Sequence, residues 1–213
     1  MAPLREKLEK VRIIWLDSAK STNSELRMRL GELDNLSVIA AVEQTAGRGQ
    51  GSHTWYSSPR TNLTFSILYR FPEDGQGLLK VADMLLVTQI TTLGIREYLL
   101  SKGITAGIKW PNDIWVEDKK ICGILIENIL EGNLVHNSII GIGLNINESG
   151  WPEDLPNPVS LGELTGKSYD IHEELEAFYK EFCRHAQMLS SEDGRKYLCE
   201  NFDENVFRLP EAL

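Results

Sequence analysis

The segment from Ala106 to Asn147 constrains this chain most. Four short apolar runs follow one another there: Ala106–Trp110, Ile114–Val116, Ile121–Glu127 and Ser138–Asn147. Each has the length of a strand. Between them lie Pro111-Asn112-Asp113, Glu117-Asp118-Lys119-Lys120 and Gly132-Asn133, all turn chemistry. The third run carries Gly123 inside it, and the fourth carries Gly141 and Gly143. Glycine weakens a strand, so an interior glycine marks a place where a ligand or another stretch of backbone comes close.

The flanking segments supply further elements. Arg12–Asp17 reads as a first strand, Ser37–Val42 as a second, and Asn62–Tyr69 alternates with period two, as a half-buried strand does. A short helix is expected over 3–10, and another from Ser21 to about Leu33, with Thr22 and Glu25 forming a capping box. Residues 78–101 form the longest helical pattern, with apolar positions around much of the circumference; Gly103 stands where it should stop. Proline-rich residues 151–158 precede an amphipathic helix built on Leu175, Phe178, Phe182, Ala186 and Leu189, and a last helix is expected near 192–202.

The second strand feeds a glycine-rich loop, Gln44-Thr45-Ala46-Gly47-Arg48-Gly49-Gln50-Gly51-Ser52-His53-Thr54-Trp55. Backbone N–H groups in such a loop can form an anion-binding concavity. Arg48 adds a charged fork for phosphate or carboxylate, and Trp55 adds a flat apolar face. The spacing is not that of the dinucleotide fingerprint, and no helix pattern follows, so a Rossmann site is excluded. Gly162 to Ser168 is one residue short of a P-loop and has no buried strand before it, so it reads as a surface turn. Lys109 lies in a very apolar strand. A buried lysine needs an anion, whereas a lysine at the surface snorkels; from the residue alone the surface reading is the stronger.

A formal net charge of −9 argues against generic nucleic-acid or anionic-membrane binding. No run is apolar enough to span a bilayer and no signal peptide opens the chain. Cys122, Cys183 and Cys199 form no C-x-x-C pair, which suits reduced thiols in the cytoplasm, and the four histidines have no metal-binding spacing.

Taken together, five segments resemble the biotin protein ligase family: Ser21-Thr22-Asn23, the loop from Gln44 to Trp55, Lys109-Trp110-Pro111-Asn112-Asp113, Lys120 to Glu127, and Gly141-Ile142-Gly143-Leu144-Asn145. They occur in the family's order. The resemblance implies an α+β fold, a mixed β-sheet with helices mainly on one side, like the class II aminoacyl-tRNA synthetase core. It implies ATP-dependent activation of biotin to biotinyl-5′-AMP, with Mg2+ accompanying ATP, and transfer to a lysine of a biotin carboxyl carrier domain.

It also implies roles. Ser21, Thr22, Asn23 and Gln44 would address biotin's ureido ring. Gly47, Arg48, Gly49 and Gln50 would line the ligand, with Gly123 allowing close approach. Lys109 and Arg48 would be catalytic, Lys109 at the carboxylate and α-phosphate. Trp55, Asn112, Gly143 and Asn145 would serve the nucleotide. No metal ligand is assigned.

Gln50 and His53 stand where the family often has arginines. The chain is expected to be a single catalytic domain over 1–213, with core motifs in 21–147 and C-terminal helices about 171–202. An SH3-like barrel after it and a DNA-binding domain before it are not expected. Two rivals are a lipoate or octanoate enzyme of the same fold, whose R-R-x-x-G-G-G pattern is missing here, and a biotin-binding relative with weak turnover.

Overall fold

Period-two alternation decides the architecture. The computed structural model describes residues 13–72 and 79–207. The helix expected over 3–10 lies outside the described residues. The strands are β1 (Ile13–Ala19), β2 (Val38–Gln44), β3 (Leu63–Arg70), β4 (Leu79–Lys80), β5 (Gly107–Lys109), β6 (Asp113–Val116), β7 (Lys119–Glu131), β8 (Leu134–Leu144) and β9 (Val206–Phe207). They form one sheet ordered β1-β2-β3-β8-β7-β6-β5-β9, with β4 paired to β8. β1 runs parallel to β2, and β5 parallel to β9; the other pairs are antiparallel. The sheet is therefore mixed, as the resemblance implies.

Alternate residues of the central strands face opposite ways. Phe65 and Ile67 of β3, Ile140, Ile142 and Leu144 of β8, and Cys122 and Ile124 of β7 enter the main core. Three helices cover that face: α2 (Leu85–Ser101), α4 (Ile171–Gln187) and α5 (Glu192–Asn205). Gly94 of α2 permits a close approach to α4, since a Cβ there would lie 3.2 Å from the Phe182 backbone. On the opposite face, α1 (Thr22–Met28) packs Leu26 over Ile39, Leu68 and Ile139. That second face is apolar under α1 and then turns to Ser66, Gly141, Thr64 and Gly143, a floor with little side chain.

Three local expectations need correction. The helical pattern assigned to 78–101 begins later, at Leu85. Leu79 instead pairs with Val135 as part of β4 and is buried, so a tertiary strand pairing overrides the local pattern; Gly103, with φ +83°, ends the helix as expected. The capping box at Thr22 and Glu25 is absent. Ser21 is the N-cap without a side-chain bond, Glu25 pairs with Arg29, and the Thr22 N–H donates to Gln44 Oε1 at 3.0 Å. A distant side chain has taken the helix's free donor. A capping box does form at Ser160 and Glu163, opening the short helix α3 (Leu161–Thr165), which Gly166 closes in the left-handed conformation. The P-loop look-alike is thus this helix and its cap rather than a bare turn.

Glu148 anchors the chain just after Trp55. Its carboxylate is buried and accepts from the Ser58 N–H (2.8 Å), the Thr61 hydroxyl (2.8 Å) and Asn62 Nδ2 (3.2 Å). Bonds to a charged acceptor are the stronger kind, and removing it leaves buried donors unpaired. Glu148→Ala is expected to lower stability by about 3 kcal/mol in urea unfolding, and Glu148→Gln by less. A loss below about 1 kcal/mol in the alanine variant would show the anchor to be dispensable.

Candidate active site

The glycine floor comes from strand register. Thr64, Gly143 and Gly123 lie side by side across β3, β8 and β7; the next row is Ser66, Gly141 and Leu125, and the next Leu68, Ile139 and Glu127. Each row has a different occupant above it. The Trp55 indole covers the first: a Cβ on Gly143 would lie 2.2 Å from its ring, and one on Gly123 2.7 Å. The Asn23 amide covers the second, 2.3 Å from where a Cβ of Gly141 would be. These glycines therefore admit protein side chains, and the space above Gly143, expected for a nucleotide, holds the indole. Trp55 Nε1 is buried there without a partner among the described residues. Beside this floor opens a cavity of about 300 Å³.

One end of the cavity is polar and ordered. Ser21, Thr22 and Asn23 are all buried at the start of α1. The Ser66 hydroxyl donates to Asn23 Oδ1 at 2.6 Å and lies 2.8 Å from the Thr22 hydroxyl. Asn23 Nδ2 donates to the Leu125 carbonyl (3.2 Å) and to Glu127 (3.0 Å). Gln44 Oε1 holds the Thr22 N–H. Among the described residues, the Gln44 amide nitrogen and the Ser21 hydroxyl have no protein acceptor, and both residues line the cavity.

The glycine loop is a small hairpin. Arg48 bridges Thr54, the Gly49 N–H donates to the His53 carbonyl (2.7 Å), and the Trp55 N–H donates to the Gly47 carbonyl (3.0 Å). Gly47 lets its two arms meet, since a Cβ there would lie 2.4 Å from the Trp55 carbonyl oxygen. Three of the loop's N–H groups, those of Gly49, His53 and Trp55, are engaged within the hairpin. The hairpin lines the cavity with Arg48, Gly49, Gln50, His53, Thr54 and Trp55. Arg48 is not free, for its guanidinium lies 3.2 Å from Glu127.

The other end is cationic. Lys109 reaches the cavity from the end of β5, with its ammonium 4.2 Å from the Trp115 ring centroid. Lys120, at the start of β7, holds Asp113 at 2.7 Å and lies 5.5 Å from the Trp55 ring. Asn112 lines the same wall and donates to the Ile124 carbonyl at 2.5 Å. Asn145 does not line the cavity. Its amide is buried and donates to the carbonyls of Lys120 and Val159, tying down the segment before α3. Sequence reasoning assigned no role to Lys120, Asp113 or Glu127, although all three lie in the motif segments. Alternation gives the signal for Glu127, which follows Gly123 and Leu125 on one face of β7.

A cavity with hydrogen-bonding groups at one end and ammonium groups at the other can hold a ligand with a polar head and an anionic tail. Residues 15–145 match the model of the biotin/lipoate A/B protein ligase family. The bifunctional ligase/repressor BirA of Bacillus subtilis is 36% identical over 139 residues, and the match covers 62% of this chain and 40% of that protein. The chain thus spans well under half the length of that relative. The biotin–[acetyl-CoA-carboxylase] ligase of Paracoccus denitrificans is 29% identical over 170 residues, covering 77% of this chain and 68% of that one. Among solved structures, the biotin protein ligase of Aquifex aeolicus in complex with biotin and ATP superposes with a TM-score of 0.76 at 26% identity, over 92% of this chain and 78% of that chain. The Leishmania major enzyme in complex with biotin gives 0.73 at 27%, over 95% and 85%. Motif order, sheet register and the family match coincide over the same residues, and the chain belongs to the biotin/lipoate A/B protein ligase family.

Proposed function

We propose that this chain is a biotin ligase: it joins biotin to ATP as biotinyl-5′-AMP and passes the biotinyl group to a lysine of a biotin carboxyl carrier domain. The observation that carries the choice within the family is the polar end of the cavity. An octanoyl chain has no donors or acceptors to offer the Gln44 amide and the Ser21 hydroxyl, and a lipoyl chain has only weakly accepting sulfurs. A site built for hydrogen bonds rejects a ligand that leaves its buried groups unpaired. Biotin's ureido ring supplies both a carbonyl and N–H groups. The neighbours with 25% identity or more include ligases in complex with biotin, with biotin and ATP, and with biotinyl-5-AMP.

In this reading Ser21, Thr22, Asn23 and Gln44 fix the ring, which points the carboxylate at Lys109 and Lys120. The carboxylate oxygen attacks the α-phosphorus of ATP; one P–O bond forms and pyrophosphate leaves with the electrons of another. Preorganised ammonium groups offset the charge that gathers between the two anions. Asp113 keeps the Lys120 ammonium in place. Trp55 shields the mixed anhydride from water. The carrier lysine then attacks the acyl carbon and AMP departs.

Mg2+ fits as a companion of ATP. Among the described residues no cluster of three potential ligands exists, but this ion needs only one or two protein carboxylates beside phosphate oxygens, and Asp113 lines the cavity. No described helix is long and apolar enough to cross a membrane. The three free thiols fit the reducing cytoplasm.

Pyrophosphate release with Mg-ATP tests the reading. Biotin should support it, and lipoate or octanoate should not. Equal release with lipoate would move the chain to the other branch of the family. Biotin binding in a calorimeter without release would make it a binding protein.

A further inference from the structure

We propose that Glu127 is a positioning residue that latches the glycine hairpin to the polar end of the cavity; the proposal rests on the biotin reading of that cavity. Glu127 is the third member of the β7 row that begins with Gly123 and Leu125, so the pleat aims it at the floor face. One of its oxygens, Oε2, gathers three donors from two separate segments. Asn23 Nδ2, at the start of α1, lies at 3.0 Å; Arg48 of the hairpin at 3.2 Å; Arg27 at 3.7 Å. The first contact fixes the amide whose Oδ1 is held by Ser66, and so sets the end that meets the ring. The second ties down the hairpin's first arm, which pairs with the arm that carries Trp55 onto the glycine floor. Glu127 also lines a second cleft, of about 470 Å³, together with Leu125 and the hairpin. Its carboxylate therefore stands where the hairpin meets the sheet.

The two contacts differ in chemistry, and that makes them separable. Asn23 needs an acceptor oxygen, which glutamine also has. Arg48 and Arg27 need a negative charge, which glutamine lacks. Glu127→Gln should loosen the hairpin and leave the polar end set; Glu127→Ala should disturb both. Arg48 is the only trypsin site between Arg29 and Arg60, so cleavage there reports hairpin release directly.

In the free protein, Glu127→Gln is expected to speed cleavage after Arg48 about two- to fivefold, the range of a partly exposed ion pair. Its biotin affinity should stay within about twofold of the parent, whereas Glu127→Ala should weaken biotin about tenfold. A residue that merely stabilised the sheet would move both readouts together. A second measurement needs no variant: raising salt to ~0.5 M screens exposed pairs and should speed hydrogen exchange of residues 47–54 in the parent protein. Parent-like cleavage in Glu127→Gln, or exchange indifferent to salt, overturns the latch. A parent protein that binds no biotin overturns the functional reading instead, and the cleavage comparison still decides the latch.

Discussion

Replacing Lys120 by alanine is expected to slow single-turnover adenylate formation by about 10²–10³, the loss that follows removal of one preorganised group facing developing charge. Lys109 and Lys120 both reach the cationic end, but they are held differently. The Lys109 ammonium rests 4.2 Å from the Trp115 ring centroid, with no carboxylate within 4.0 Å among the described residues. The Lys120 ammonium is fixed at 2.7 Å by Asp113 and overlooks the Trp55 ring, beside Gly123. A charge already held in place costs no reorganisation when the carboxylate and α-phosphate meet, so Lys120 should carry the larger share. Lys109→Ala should also depress the rate, as its place in the motif implies, by a smaller factor. Asp113→Asn should keep the lysine charged but release it, and so fall between Lys120→Ala and the parent. Near-parent adenylation in Lys120→Ala alongside a deep loss in Lys109→Ala would return the neutralising role to Lys109 and leave the Lys120–Asp113 pair a structural one.

The contrast between those lysines shows what a sequence exposes. Lys109 stands out because it interrupts an apolar run. Lys120 closes a string of charged residues, Glu117-Asp118-Lys119-Lys120, where any one of them reads as a solvated turn; its difference arises only when β6 and β7 pair, which sets Lys120 opposite Trp115 and brings its ammonium to Asp113. Strands with clean alternation, such as β3, were legible, and so was the stop at Gly103. The parallel pairings of β1 with β2 and of β5 with β9 were not, because nothing local specifies a partner remote in the chain. The Thr22 cap failed for the same reason, since Gln44 lies 22 residues away. Asn145 fits its motif by type and position, yet the carbonyls of Lys120 and Val159 take its amide. Glycine was the subtlest case. Gly123, Gly141 and Gly143 signal a close approach, and the approach is real, but what comes close is Trp55 and Asn23.

That last point makes Gly141→Ala a sharp test of the polar end. An alanine there keeps an ordinary extended strand: Gly141 has no positive φ, and its neighbours Ser66 and Leu125 across the sheet stay paired. The new methyl carbon would fall 2.3 Å from Asn23 Oδ1 and 2.9 Å from its Cγ, so something must move. The strand is clamped between two others, whereas Asn23 is a short side chain at a helix start. The amide should rotate away, giving up its bonds to Ser66, Leu125 and Glu127. Losing buried bonds of this kind costs about 1–3 kcal/mol, which predicts biotin binding weakened roughly ten- to hundredfold by calorimetry. Gly143→Ala supplies the contrast, because its methyl meets the Trp55 ring instead. The indole sits on a hairpin and can lift, so this variant should shift tryptophan fluorescence and slow adenylation while leaving biotin affinity closer to the parent. Circular dichroism of both variants should match the parent. Parent-like biotin affinity in Gly141→Ala, with the fold intact, would mean that the Asn23 amide does not set the ring site, and the polar end would have to be reassigned to Gln44 and Ser21 alone.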